Sequence, residues 1–280
     1  RHIPLDRILD EVRLNLQYSD KITLHAEDVL RYRAKGMNPE PARVKELFES
    51  VGKLTENFGM SHIALSSALA EPRMIEELSA LGGASEGKRT LYAQTGIETG
   101  SPDLVSKHMK GKAKPFQPEE WPDVVRESLK LLSDNNIVVC GTLVMGMPGE
   151  REEDVRRTLE LVEDLRQYKS LIVPLFFVPL GEMREDSFFR PDAMLPDHWR
   201  LFAECIKHDF HWSSILMEEL FEQNRLTAAR SGAFKLAAWY MQRRLRDSIE
   251  LMEEGEDPRH EKEAASLQDQ VQIERDMGTA

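Results

Sequence analysis

Residues 90–102 read Thr-Leu-Tyr-Ala-Gln-Thr-Gly-Ile-Glu-Thr-Gly-Ser-Pro, and this stretch decides the fold that we expect. Apolar and polar side chains alternate from Leu91 onward, which predicts a strand, and two glycines then break it. Ser101 is a preferred helix N-cap, and Pro102 is a preferred first residue of a helix. A strand, a glycine turn and a helix start form a ligand-binding geometry, because glycine lets backbone approach a ligand and the helix N-terminus favours an anionic group.

Glu98 is the candidate recognition residue of this turn, and Gly96 gives the backbone its close approach. A carboxylate at this position can accept two hydrogen bonds, from the hydroxyls of a ribose or from an ammonium group. The competing interpretation is a tight turn that carries a solvated acid. Similar turns downstream favour the ligand-binding interpretation.

The next such turn follows a strand predicted over residues 136–145, whose nearly continuous apolar run is typical of a strand buried on both faces of a parallel sheet. Gly146 ends this strand. Acids at positions 150 and 152–154 open the following helix, where we expect them to complement its dipole rather than to carry chemistry. A further strand, predicted over residues 170–178, ends at Val178 in a loop on the same rim.

A helix over residues 4–16 and five strand-helix units precede residue 190, with strands expected near residues 22, 62–68, 91, 138 and 172. Strands that alternate with amphipathic helices predict right-handed parallel crossovers, so the carboxyl ends of the strands share one rim. We therefore predict an α/β fold in which residues 1–190 form a partial (β/α) barrel of parallel strands. Residues 191–253 form a C-terminal helical extension, with helices over 196–211, 213–223 and 227–253. Residues 254–280 are charged and poor in apolar residues, which predicts a disordered tail or a frayed helix.

Three polar groups outside these turns are candidates for function. The strand predicted over residues 21–29 ends in His25, Glu27 and Asp28, at the rim where parallel α/β folds bind ligands. Lysines at 107, 110, 112 and 114 form a positive patch near the first turn, and both substrate contact and plain solvation are open for them. His208 and His211 have the spacing of a helical metal pair, although such pairs are more often surface or core residues.

Composition limits the class of protein. Charged residues make up 31% of the 280 residues and the formal net charge is -12, which argues against general nucleic-acid binding but leaves a local basic groove open. The sequence has no run of about eighteen apolar residues, so we expect no membrane span. Cys140 and Cys205 are far apart, which is typical of a reducing compartment, and we expect a cytoplasmic protein.

Three motifs in this order, residues 95–101, 144–150 and 174–180, resemble the radical S-adenosylmethionine (SAM) superfamily. The resemblance covers residues 3–182. It implies a truncated form of that family's partial (β/α) barrel, of which this chain would hold the second to the sixth strand.

The resemblance also implies a cofactor site. Glu27 would take the place of the acid that holds the amino group of SAM, and Glu98, with Ser101 nearby, would bind the ribose and the carboxylate. Gly146 and Val178 would frame the adenine. The resemblance identifies no catalytic residue in this chain and no metal ligand.

The sequence departs from the family at the iron-sulfur cluster. The family holds a four-iron four-sulfur cluster on cysteines spaced Cys-x3-Cys-x2-Cys, and neither Cys140 nor Cys205 belongs to such a loop. Because the first residue is Arg1, we expect a chain that starts downstream of this loop and does not cleave SAM as it stands. In the intact parent we expect reductive cleavage of SAM and radical chemistry on an unknown substrate, with a reductant protein or a small electron donor as partner. A cobalamin-binding domain in the parent is undecided, and the oligomeric state is unknown.

Two other functions remain open. The first is a cluster-free SAM-binding or protein-interaction module on the same fold. The second is a Schiff-base lyase, which would need a buried lysine on a strand. The predicted strands offer only Lys21, at a strand entrance, so the sequence disfavours the lyase.

Overall fold

The computed structural model describes residues 2–85, 87, 89–181, 184–223 and 228–259. The part of the predicted tail from residue 260 to 280 lies outside these ranges. Residues 182 and 183, in the loop predicted after Val178, also lie outside them. The described residues form a mixed α/β structure with parallel strands and a helical C-terminal part. Its helices are α1 (Leu5–Asn15), α2 (Pro41–Gly52), α3 (Leu65–Ala70), α4 (Pro72–Leu81), α5 (Pro102–His108), α6 (Trp121–Asp134), α7 (Glu152–Asp164), α8 (Pro196–Gln223) and α9 (Ala228–Glu254).

The strands form two small parallel sheets. β1 (Ile22–Leu24) pairs with β2 (Phe58–Met60), and β3 (Leu91–Glu98), β4 (Ile137–Met145) and β5 (Ser170–Phe176) form the second sheet in that order. A single parallel bridge between His62 and Gln94 connects the two sheets. Because every described pairing is parallel, the carboxyl ends of paired strands lie on the same edge.

The alternation predicted for β3 is confirmed. Leu91 and Ala93 are buried, whereas Tyr92 is 43% exposed. The side chains of Tyr92 and Gln94 form a second row, which points to a partly open face of the sheet. The row continues across the sheet, since Gln94 pairs in register with Cys140 and Cys140 with Leu171. The prediction that β4 is buried on both faces is wrong beyond Val139, because alternate residues from Cys140 onward are only half-buried.

Two predicted strands differ from the structure. The strand expected over residues 62–68 is absent from that range and lies earlier, at Phe58–Met60, while α3 begins at Leu65. Helix formation is favoured there because the oxygens of Asp28 accept hydrogen bonds from the Ala64 amide and the Ser67 hydroxyl, at 3.2 and 2.6 Å. β1 ends at Leu24 rather than near residue 29, because Asp28 caps a 3-10 turn over Val29–Arg31.

The helix break expected near residue 212 is also wrong, because α8 is continuous. The hydroxyls of Ser213 and Ser214 donate to the Phe210 carbonyl at 3.4 and 2.8 Å, so they are satisfied within the helix and need not end it.

Helix α8 covers the outer edge of β5. The Asp209 carboxylate accepts a hydrogen bond from the Ile172 amide at 2.7 Å, and the Nε2 atom of His208 lies 3.1 Å from the Ser170 carbonyl oxygen. Leu201 and Cys205 of α8 belong to the large buried core that the strands and helices α1 to α7 share. In the residues that the structure describes, no helix has the length and apolar character needed to cross a bilayer.

Candidate functional site

The turn after β3 holds a carboxylate above a glycine. The strand register shifts between Gly96 and Glu98, and Glu98 has a left-handed backbone with a φ of 66°. Its Oε1 atom lies 3.1 Å from the Nζ atom of Lys112. A Cβ atom at position 96 would overlap the Glu98 carboxylate and would lie 2.8 Å from the Lys112 ammonium. With a larger residue at position 96, the ends of the Glu98 and Lys112 side chains would have to move from the positions that they take here.

Buried contacts hold the same turn in place. The indole Nε1 of Trp121 lies 3.2 Å from the Ile97 carbonyl oxygen and 3.0 Å from that of Thr99. The Gly100 amide donates to the Thr158 hydroxyl at 2.9 Å. The turn is therefore fixed by α6 and α7, neither of which is adjacent to it in sequence.

Ser101 is buried, and its hydroxyl is engaged by protein groups. It donates to Oδ1 of Asp154 at 2.6 Å and accepts from the Leu104 amide at 3.4 Å, which caps α5. Burial opposes ionisation of Asp154, but hydrogen bonds from Ser101 and Arg151 outweigh this effect and hold the pKa of the carboxyl below its ordinary value. The predicted N-cap is confirmed, and Ser101 lies in the turn as a positioning residue.

The turn after β4 is closed by Glu150, one of the acids for which the sequence predicts only a complement to the helix dipole. The Gly146 amide donates to Oε2 of Glu150 at 2.6 Å, and Nε2 of His198 lies 2.9 Å from the same oxygen. Gly146 has a φ of 79°, and a Cβ atom there would overlap the ring of Phe189. Gly146 is thus covered by an aromatic side chain, whereas Val178, after β5, is 49% exposed.

At the end of β1 the two neighbouring acids have different surroundings. Glu27 is exposed. Asp28 accepts the hydrogen bonds from α3 described above and a further one from the Leu30 amide at 3.1 Å, and burial raises its pKa. The Nε atom of Arg31 lies 3.2 Å from Asp28 Oδ2. Asp28 therefore has a structural role, and Glu27 is the acid that a ligand can reach.

The loop after α5, which contains Lys112 and Lys114, contacts the ends of both β1 and β3. Arg31 donates to the Lys114 carbonyl at 3.2 Å and to the Ser66 hydroxyl at 3.4 Å, and Ser66 donates to the Lys112 carbonyl at 2.9 Å. Lys112 in turn pairs with Glu98. Of the predicted lysine patch, Lys112 thus belongs to the site, and Lys107 donates to the Pro148 carbonyl at 2.9 Å in the turn after β4.

A cavity of about 670 Å³ lies between α1 and the outer edge of β1. Its wall includes Val12, Thr23, His25, Glu27 and Arg31. This volume is in the range of pockets that hold small ligands. The candidate residues Gly96, Glu98, Ser101, Gly146 and Val178 are not part of this wall, so the structure brings Glu27 alone of the six candidates to the cavity.

Donors for a metal or an iron-sulfur cluster are lacking in the described part of the chain, which contains no group of three His, Cys, Asp or Glu residues placed to hold an ion. Cys205 is buried, and this burial raises the pKa of its thiol. Cys140 is half-buried on β4. The predicted alternative of a metal pair does not fit either, since His208 is buried against Ser170 while His211 is exposed and packs on Trp212 at a ring distance of 4.9 Å.

The residues that sequence reasoning missed are mainly the supports of these turns. Trp121, Thr158 and His198 contact turns that lie 22 to 59 residues away in sequence. No local pattern marks such contacts. The one available signal was Glu150, which stands four residues after Gly146 and could have been considered as a hydrogen-bond acceptor for the turn.

Comparison with known proteins gives a distant relationship. No protein-family model matches the chain. It is similar to two curated enzymes, each named tRNA-2-methylthio-N(6)-dimethylallyladenosine synthase, from Orientia tsutsugamushi (strain Ikeda) and from Nitrosomonas europaea. Both are 25% identical to it over 166 residues, which is 58% of this chain and 34% of the enzyme. The chain thus spans about a third of the length of the curated relatives that it matches.

Proposed function

We propose that this chain is the SAM-binding part of a radical SAM enzyme. The observation that carries the proposal is the Glu98 carboxylate, held above Gly96 at the carboxyl end of a parallel strand, with the Gly146 and Val178 turns following in the family's order. The sequence similarity to the two methylthio-adenosine synthases supports the same relationship. In this proposal the two sheets, joined at His62 and Gln94, form the wall of one partial barrel over residues 1–190, with residues 191–253 as a helical extension.

The residues present fit SAM at several points. Glu27 would hold the amino group, and Glu98 would accept hydrogen bonds from the ribose hydroxyls. Lys112, now paired with Glu98, is the nearby cation that could pair with the cofactor carboxylate. The exposed Val178 would lie against the adenine, Gly146 would shape the neighbouring turn beneath the Phe189 ring, and Ser101 would act by positioning the turn after β3. When bound and reduced, SAM supplies a carbon radical that removes hydrogen from a substrate.

The residues present do not fit a four-iron four-sulfur cluster. The sequence has two cysteines, one of them buried, and a cluster of this type needs several thiolate ligands. We propose that the cluster ligands belong to a part of the parent outside these residues, so that this chain alone does not cleave SAM.

Calorimetric titration of the chain with SAM tests the proposal. We expect wild-type protein to bind SAM and Glu98→Gln to bind it about ten- to a hundredfold more weakly, because a hydrogen bond to a charged group contributes ~1.5–3 kcal/mol. Glu27→Gln should weaken binding by a similar factor. The matched control is Glu160→Gln, an exposed acid of α7, which should bind SAM like the wild type.

Wild-type protein that does not bind SAM, or a Glu98→Gln variant that binds it as the wild type does, would remove the site. The second candidate, a cluster-free SAM-binding module, is favoured by the lack of cluster ligands in the described residues. The sequence encoded upstream of this chain distinguishes the two, since only the enzyme requires Cys-x3-Cys-x2-Cys there.

A further inference from the structure

Residues 228–246 of helix α9 differ in charge from the rest of the molecule, including the last turns of the same helix, which carry Asp247, Glu250, Glu253 and Glu254. Residues 228–246 contain five basic residues, Arg230, Lys235, Arg243, Arg244 and Arg246, and no acidic residue, in a chain whose net charge is -12. A local basic stretch in an acidic protein is not explained by overall solubility. Of these five residues, Lys235 is paired with Glu218 of α8.

Large apolar side chains are exposed on the same helix. Leu236, Trp239 and Tyr240 are 65, 54 and 58% exposed. We call these three residues, together with Arg243, Arg244 and Arg246, the α9 surface. Exposed tryptophan and tyrosine beside arginine are typical of binding surfaces, because each supplies a large contact area with a polar group at its end.

The arginines of the α9 surface are available for a ligand. Among the residues that the structure describes, no carboxylate forms an ion pair with Arg243, Arg244 or Arg246. The guanidinium of Arg243 instead stacks over the ring of Trp239, 5.7 Å from its centroid. By contrast, the exposed side chain of Arg151 is held by Asp103 and Asp154.

Spacing along the helix distinguishes between anionic partners. Arg243 follows Trp239 by four residues and Arg244 follows Tyr240 by four, so each arginine lies next to a ring on the helix surface. A helix that lies on a membrane separates its apolar face from its charged face. Here rings and charges are interleaved, which is the arrangement that binds bases by stacking and phosphates by charge.

We propose that the α9 surface binds a single-stranded segment of nucleic acid. Trp239 and Tyr240 would stack on bases, and Arg243, Arg244 and Arg246 would contact phosphates. The residues of this surface are separate from the SAM site proposed above. The two proposals therefore fail independently, and each is measured on the same chain.

Fluorescence anisotropy of a labelled oligouridylate of about 12 nucleotides tests the proposal at about 0.05–0.2 M salt. We expect the triple variant Arg243→Gln, Arg244→Gln, Arg246→Gln to bind more weakly and to lower the slope of log affinity against log salt by about 2, since each phosphate contact on a single strand contributes about 0.7. Trp239→Leu should weaken binding about five- to a hundredfold without changing this slope, because stacking does not release counterions.

The matched control removes the same number of charges from α2, α4 and the residue after α2. The variant Arg43→Gln, Lys53→Gln, Arg73→Gln should keep wild-type affinity and slope, and circular dichroism should show that all variants keep their helix content. An oligothymidylate of the same length is the second probe. Equal binding of both oligomers would identify bases and phosphates as the recognised groups, and tighter RNA binding would add the ribose hydroxyl; both results support the proposal.

Three results would overturn it. The wild type could fail to bind either oligomer, or the triple arginine variant could bind as tightly as its control. The third is tighter binding of vesicles rich in phosphatidylserine than of either oligonucleotide. Sedimentation velocity adds an independent check, because self-association that Trp239→Leu abolishes would identify the α9 surface as a contact between copies of the chain.

Discussion

Glu98 has a backbone conformation that few side chains adopt. Its φ of 66° lies in the left-handed region, which costs a non-glycine residue about 1–2 kcal/mol. The Trp121 hydrogen bonds to the carbonyls on both sides of it and the ion pair with Lys112 hold it there. The sequence identified the residue but not this conformation, because the strain depends on groups from α6 and from a later loop.

Gly146 gives a prediction at the same scale. We expect Gly146→Ala to lower the free energy of unfolding by about 2–4 kcal/mol, because alanine is strained at a φ of 79° and its Cβ would displace the Phe189 ring. The midpoint of urea unfolding, with an unchanged slope, measures this loss.

Gly36→Ala is the control for that experiment. No atom lies within 4 Å of the place that a Cβ atom at Gly36 would occupy, and this residue does not require a left-handed backbone. Alanine there should therefore be neutral or stabilising by up to about 1 kcal/mol. Equal midpoints for the two variants would show that Phe189 does not constrain the turn.

Among the secondary-structure elements, period and turn chemistry predicted β3, β4, β5 and the helices α1 and α9 within a few residues. They failed at α3, where Leu65 and its neighbours fit either a strand or a helix until the hydrogen bonds to Asp28 fix the start of the helix. They failed again at α8, for which they predicted a break between residues 211 and 213. In both cases the deciding hydrogen bonds were not visible in the local pattern.

The contact of α8 with the edge of β5 gives a prediction on pH. Burial raises the pKa of Asp209 to about 6, against an ordinary value of 3.8. The unfolded chain therefore ionises first, and the folded state loses stability as pH rises from 4 to 6. Asp209→Asn keeps an oxygen for the Ile172 amide but cannot ionise. Its stability relative to the wild type should rise by about 1–3 kcal/mol over this interval and stay constant above it.

The pKa of His208 is shifted in the opposite direction to that of Asp209, and His208 is present in both the wild type and Asp209→Asn. Burial lowers its pKa to about 4 from 6.5, so the stability that it contributes is lost as pH falls through this range. The difference between variant and wild type, taken from urea unfolding at several pH values, removes this contribution. Asp209→Ala is the companion variant, and it should be about 1–3 kcal/mol less stable than Asp209→Asn because the Ile172 amide loses its acceptor. A pH-independent difference between Asp209→Asn and wild type would contradict the raised pKa.

For the molecule as a whole, we expect that anaerobic treatment of this chain with iron and sulfide gives no four-iron four-sulfur cluster. Cys205 is buried with a raised thiol pKa, and Cys140 has a raised pKa because it is half-buried on a strand. Visible absorbance and iron content measure the result. Thiol titration provides the structural control, since Cys205 should react only after unfolding.

A stoichiometric brown chromophore that Cys140→Ser abolishes would contradict this expectation and would assign a cluster to the chain itself. The number of cysteines and their separation along the chain can be read directly from the sequence, and both argue against a cluster. It could not predict that α8 buries Cys205 against the sheet, because this burial results from the packing of α8 on β5.

The outer edge of β1 affects how molecules of this protein behave towards one another. In the described residues β1 pairs with β2 alone, through Ile22 and Leu24, so the amide and carbonyl of Thr23 point to the opposite side. An edge of this kind invites strand addition and, in long flat strands, fibril growth. β1 is only three residues long, and it therefore offers an incoming chain too few backbone groups for stable pairing. We therefore expect this short edge to resist polymerisation in concentrated solutions of the protein.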